Sequence, residues 1–79
     1  MDKGVIQEKI QEIFRDVFDM QELVICRETT ASDIQEWDSL MHISLVSAIE
    51  KYFKVKFALG ELQDLKNVGD MIDLVSTKI

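Results

Sequence analysis

Ser39 is the residue of this chain best placed for covalent chemistry, flanked by Asp38 and Leu40 and followed three residues later by His42. A serine hydroxyl becomes a strong nucleophile when a base takes its proton and a third group orients that base. Here there is no Gly-x-Ser-x-Gly elbow and no evident carboxylate to orient the imidazole. Only 79 residues are available to build a substrate pocket. A Ser39–His42 hydrolase is therefore disfavoured, and His42 reads as a partly buried histidine at the rim of a helical core. Asp38 and Ser39 are also ordinary helix caps. What sets them apart is their place, where an acidic, irregular stretch meets a strongly apolar one. One hydroxyl is then presented at an exposed helix start with no base behind it, as expected of a residue that another protein modifies.

The elements that must hold this serine follow from apolar periodicity. Ile6, Ile10, Ile13, Phe14 and Val17 fall on one face of a helix over 3–18, with Gln7, Glu8, Glu12, Arg15 and Asp16 on the wet side. Residues 19–38 form a long connection, interrupted by Leu23-Val24-Ile25 and by Ile34 with Trp37. A loop this long is usually pinned by its own side chains, so Ile34 and Trp37 are expected to anchor it. Ser32 and Gln35 resemble a capping box. A second helix spans 39–53. Its core arc holds Met41, Leu45, Val46, Ala48, Ile49, Tyr52 and Phe53. The opposite arc holds Ser39, Ser44, Ser47, Glu50, Lys51 and Lys54, and two apolar residues, Leu40 and Ile43, fall there beside Ser39 as a docking spot. Leu59, Leu62 and Leu65 predict a short helix over 59–65. Asn67 caps a last helix carrying Val68, Met71, Ile72, Val75 and Ile79. The fold class is all-α, a bundle of three main helices plus a short one, in a single domain over 1–79.

Composition narrows the function. Nine basic against 15 acidic residues leave a net charge of −6. That disfavours nucleic acid, whose phosphates need a basic face. The acidity is uneven, with a net of −5 over residues 1–37 and −1 over 38–79. The N-terminus lacks a secretory h-region, and no apolar run approaches the ~18 residues of a membrane span. The lone cysteine, Cys26, excludes an internal disulfide, fits a reducing cytoplasmic setting and is expected to be buried or half-buried.

The run from Trp37 through Asp38-Ser39-Leu40 to Glu50-Lys51-Tyr52-Phe53 resembles the acyl carrier proteins. In that family an Asp-Ser-Leu triplet opens the second helix. Leu59-Gly60-Glu61-Leu62 and Asn67-Val68-Gly69-Asp70-Met71 look like its third and fourth helices, so the resemblance covers essentially the whole chain. It implies a non-enzymatic carrier, a monomer, whose Ser39 receives 4′-phosphopantetheine from coenzyme A through a separate phosphopantetheinyl transferase. Asp38 would help that transferase hold its metal. The arm's thiol would carry acyl groups as thioesters between acyl-loading and acyl-processing enzymes, docked through Leu40, Ile43, Ser47 and Glu50. No metal would belong to the chain itself.

The departures bear on the pathway. Fatty-acid-synthesis carriers usually hold more carboxylates along the second helix, where this chain has Met41, Ser44, Ser47 and Lys51. The form Trp-Asp-Ser-Leu with histidine three places on looks more like dedicated carriers of polyketide, peptide, or surface-sugar and lipid pathways. Docking would then lean on Leu40 and Ile43 more than on charge. Met41, Leu45, Val46, Ile49, Leu62 and Met71 are candidates to line an acyl cavity, or ordinary core. An unmodified helical adaptor with a carrier-like fold is the alternative reading.

Overall fold

Three helices, each closed by a side-chain cap, carry the architecture of the computed structural model, which describes residues 2–58, 60, 61 and 65–79. They are α1 (Lys3–Phe18), α2 (Ser39–Phe53) and α3 (Val68–Lys78). No strand occurs among the described residues. The spans match the periodicity of the sequence. The short helix expected over 59–65 falls largely on residues 59 and 62–64, which lie outside the described residues.

The ends of the helices are chemically defined. The Asp2 carboxylate accepts from the amides of Gly4 (2.7 Å) and Val5 (3.2 Å). Asn67 Oδ1 accepts from Asp70 N at 2.8 Å. Both satisfy first-turn N–H groups that a helix leaves unpaired. Asp19 and Lys54 close α1 and α2 in the left-handed conformation, each donating its N–H back to a carbonyl of the last turn.

α1 is the element on which α2 and α3 both pack. Ile6, Ile10 and Phe14 from α1, Leu45 and Ile49 from α2, and Val68, Ile72 and Val75 from α3 have no exposed surface. The core stripe of α1 continues to Phe18, which is buried, while Val17 is only partly so. On α2 the expected core arc needs one correction: Tyr52 is 50% exposed. It stands in the last turn of α2, while Phe53 beside it is buried as expected.

The connection from α1 to α2 is pinned as its apolar residues imply. Ile25, Ile34 and Trp37 are buried. Trp37 meets Phe14 edge-on at 5.3 Å and lies 6.4 Å from Phe18. Such pairs contribute about 0.5–1.5 kcal/mol each beyond the area they bury. α1 holds the same loop by polar contacts. Arg15 Nε donates to Leu23 O at 2.7 Å, Gln11 Oε1 accepts from Ile25 N at 3.1 Å, and Gln7 Nε2 reaches Ile25 O at 3.5 Å. These three residues are spaced by four, so they form one stripe on the side of α1 that faces the loop.

Farther along, the loop backbone approaches the start of α3. Val68 N donates to Thr29 O and Gly69 N to Arg27 O, both at 2.9 Å. A Cβ at Gly69 would stand 3.1 Å from Arg27 O, so glycine permits this approach.

Two expectations for the loop are corrected. The turn before Trp37 is held by Thr30 and Asp33, whose carboxylate accepts from Thr30 N at 2.9 Å, rather than by Ser32 and Gln35. Cys26 is exposed, not buried. Thr29 is the buried residue there, accepting from Cys26 N at 2.9 Å.

Candidate functional site

Asp38 and Ser39 form the hinge between the pinned loop and α2. Asp38 is extended, and its Oδ1 accepts from Met41 N at 2.8 Å. Its own carbonyl accepts from His42 N at 2.9 Å. Asp38 is therefore the N-cap, and Ser39 becomes the first helical residue, exposed to solvent. Trp37, locked against Phe14 and Phe18, fixes where this cap stands on the bundle.

No base in this arrangement serves Ser39. Trp37 Nε1 donates to His42 Nδ1 at 3.1 Å. An indole N–H can only donate, so His42 Nδ1 must offer a lone pair and the ring proton sits on Nε2. One nitrogen is engaged and the other is protonated. Burial also pushes the His42 pKa below the ordinary 6.5. Asp38 is committed to the cap, and among the described residues the Ser39 hydroxyl has no hydrogen-bond partner. His42 is thus the half-buried rim histidine that its position on the helix indicated. Its pairing with Trp37, five residues earlier, is what sequence reasoning missed, and that spacing was its one visible sign.

The surroundings fit a phosphodiester on the Ser39 oxygen. The hydroxyl is accessible to a visiting active site. The cap engages the amides of Met41 and His42, which leaves those of Ser39 and Leu40 without a partner among the described residues. Unpaired amides at a helix N-terminus, together with the macrodipole, favour an anion there. No group of three or more metal-ligating side chains occurs among the described residues.

The remaining site residues share one stripe of α2. Leu40 is 72% and Ile43 64% exposed, one turn apart. Ser47 follows, exposed, and then Glu50, half-buried. Glu50 is not wholly available to a partner, because its Oε2 accepts from Phe57 N at 2.8 Å and ties the following connector to α2. Of the residues considered for an acyl cavity, Leu45, Ile49 and Met71 belong to the packed core, Val46 is buried, and Met41 packs partly against it. Leu62 lies outside the described residues.

Residues 8–75 match the family model described as "Phosphopantetheine attachment site". The chain is 28% identical over 79 residues to an acyl carrier protein of Thermosynechococcus vestitus, covering all of this chain and 98% of that one. It is 30% identical over 79 residues to the acyl carrier protein of Petrotoga mobilis, covering 93% of it. The solution structure of a holo acyl carrier protein from Geobacter metallireducens is similar at 54% identity and a TM-score of 0.87, over 91% of this chain and 83% of that one.

Proposed function

We propose a specific carrier role from one premise: this chain belongs to the acyl carrier protein family, whose members bear a phosphopantetheine attachment site. It is a carrier rather than an enzyme, and its cofactor is covalently attached 4′-phosphopantetheine. Within that frame Ser39 is the attachment residue and 1–79 act as one carrier domain. The observation that carries this reading is the exposed Ser39 hydroxyl on the first residue of α2, with the flanking carboxylate and imidazole both engaged elsewhere.

Loading makes one bond from Ser39 Oγ to the phosphorus of coenzyme A that bears pantetheine. It breaks the bond to the departing nucleotide phosphate, and the hydroxyl proton passes to a base of the transferase. Asp38 assists the transferase's metal through the carboxylate oxygen that the cap leaves open. When attached, the arm supplies a thiol that holds acyl groups as thioesters. This chain's own residues hold Ser39 outward, favour the phosphodiester anion at the helix start, and offer Leu40 and Ile43 to partner enzymes.

The chain shuttles acyl intermediates between enzymes of a fatty-acid, polyketide, peptide or surface-lipid/sugar pathway, its second helix favouring a dedicated pathway over housekeeping fatty-acid synthesis, and it works as a cytoplasmic monomer. The uncharged Ser44 and Ser47 on the exposed face of α2 support the preference for a dedicated pathway. No helix among the described residues is long and apolar enough to cross a membrane.

Intact mass after incubation with coenzyme A and a broad-specificity transferase tests the assignment. A phosphopantetheine gain on the wild type, absent in Ser39→Ala, is expected. No gain with several transferases would favour the unmodified adaptor, and a gain retained by Ser39→Ala would move the site elsewhere.

A further inference from the structure

The end of α2 farthest from Ser39 carries charge opposite to that of the chain. Residues 39–56 hold three lysines, Lys51, Lys54 and Lys56, against the single acid Glu50, in a protein whose net charge is −6. All three lysines line one open groove of about 960 Å³, floored by Ile43, Ala48 and Val55. We propose that this groove receives an acidic, apolar-striped helical segment of a partner protein.

Two local explanations fall short of accounting for the lysines. Lys51 stands in the last turn of α2, where the helix dipole favours a cation. Lys54 is the C-cap at that same negative end, but Lys56 lies two residues beyond it, and the dipole's effect is confined to the terminal turn. Internal pairing does not explain them either. Among the described residues the ion pairs engage Lys3, Lys9, Arg27 and Lys78, not these three. The groove's one carboxylate is held on the Phe57 amide, which fixes it at one edge.

The shape selects the kind of occupant. From Ile43 to Lys54 the groove follows α2 for roughly 16 Å at 1.5 Å per residue. That is about three turns of a partner helix, and the groove is too open to enclose a small molecule. An apolar stripe would lie over Ile43, Ala48 and Val55, and flanking carboxylates would meet the lysines. The inference deepens the carrier reading, because Ile43 belongs both to the docking spot beside Ser39 and to this groove. It also gives the partner's sign, acidic where partners of acidic carriers would be basic.

The test titrates ¹⁵N-labelled protein, before and after treatment with coenzyme A and a transferase, with a three-turn amphipathic peptide bearing glutamates beside a leucine stripe. Controls are the same peptide with every glutamate changed to glutamine, and vesicles of phosphatidylcholine with phosphatidylglycerol. Shifts confined to Ile43–Lys56 are expected, with affinity reduced on the order of tenfold for the glutamine peptide and for Lys51→Glu/Lys54→Glu. Lys56→Glu, in the connector beyond α2, gives a second reading if the double variant misfolds. Equal binding of the two peptides, unchanged affinity in the variants, or preference for vesicles over the acidic peptide would overturn the proposal. Mass analysis keeps the two readings apart. A chain that binds the acidic peptide but takes no phosphopantetheine loses the carrier assignment and keeps the groove. A loaded chain indifferent to peptide charge does the reverse.

Discussion

Trp37 and His42 clasp the chain on either side of Ser39: the indole Nε1 donates to imidazole Nδ1 at 3.1 Å, and the rings stack at 21° with centroids 5.9 Å apart. The bond joins the last anchored residue of the loop to the first turn of α2. It requires a neutral imidazole, because a protonated ring would turn a second N–H toward the indole.

That requirement predicts a pH dependence with a defined sign. Burial lowers the folded pKa of His42 below 6.5, so the folded state binds fewer protons than the unfolded one wherever the two titrations differ. The stabilising contribution is complete above 6.5 and is lost as pH falls through 6.5 and on through the folded pKa. Urea midpoints should be level from about pH 8 down to about 7 and decline as pH falls through 6.5 towards about 5, an interval in which histidine is the side chain that ordinarily titrates. Fluorescence of Trp37, the chain's single tryptophan, reports the transition. His42→Gln keeps an acceptor that does not titrate and should flatten the slope; an unchanged slope would place the effect elsewhere.

Asp38 has two roles that one pair of variants separates. Asp38→Ala removes the bond to Met41 N and should cost about 0.5–2 kcal/mol of stability. Asp38→Asn caps nearly as well but has no charge for a transferase's metal. Thermal melting should therefore show a clear loss for alanine and a small one for asparagine, while both slow phosphopantetheine transfer. Normal transfer in Asp38→Asn would confine this residue to capping.

Leu40 and Ile43 should separate docking from folding. Both are largely exposed, so alanine at either position should change stability by no more than ~0.5 kcal/mol. Acyl loading by a cognate enzyme should fall, mainly through a raised KM, and fall further in the double variant. Loading unaffected by the double variant would remove these residues from the interface.

Asp73 ties three segments together. Its carboxylate lies 2.9 Å from Arg27 in the loop and 3.0 Å from Lys3 at the start of α1. Arg27 first, then Lys3, holds its pKa below the ordinary 3.8. With a lowered folded pKa, the contribution is present above about 3.8 and is lost as pH falls through the folded value. Acid unfolding of Asp73→Asn should show a shallower response in that window. The wild-type response should weaken with salt, since all three side chains are partly exposed.

The sequence by itself determined the helices, and the reason is local. Strong apolar periodicity with Asp38 and Asn67 at the boundaries left little room for other spans over 39–53 and 68–78. The exposure of Ser39, Leu40 and Ile43 was legible for the same reason, since a helix sorts its faces by angle alone. Tertiary structure decided what depends on residues distant in the chain or on loop geometry. Gln7, Gln11 and Arg15 look like a solvated face until the loop lies against them. Thr29 is buried and Cys26 exposed because the backbone at Arg27 and Thr29 is drawn onto Val68 and Gly69. That His42 is a rim histidine was legible from its place on the helix, but packing decided that Trp37, held by Phe14 and Phe18, engages its Nδ1. Lys51, Lys54 and Lys56 became one surface because the chain turns at Lys54 and carries Lys56 back beside α2. Periodicity records which side of one helix is wet, and only packing between segments decides what stands on that side.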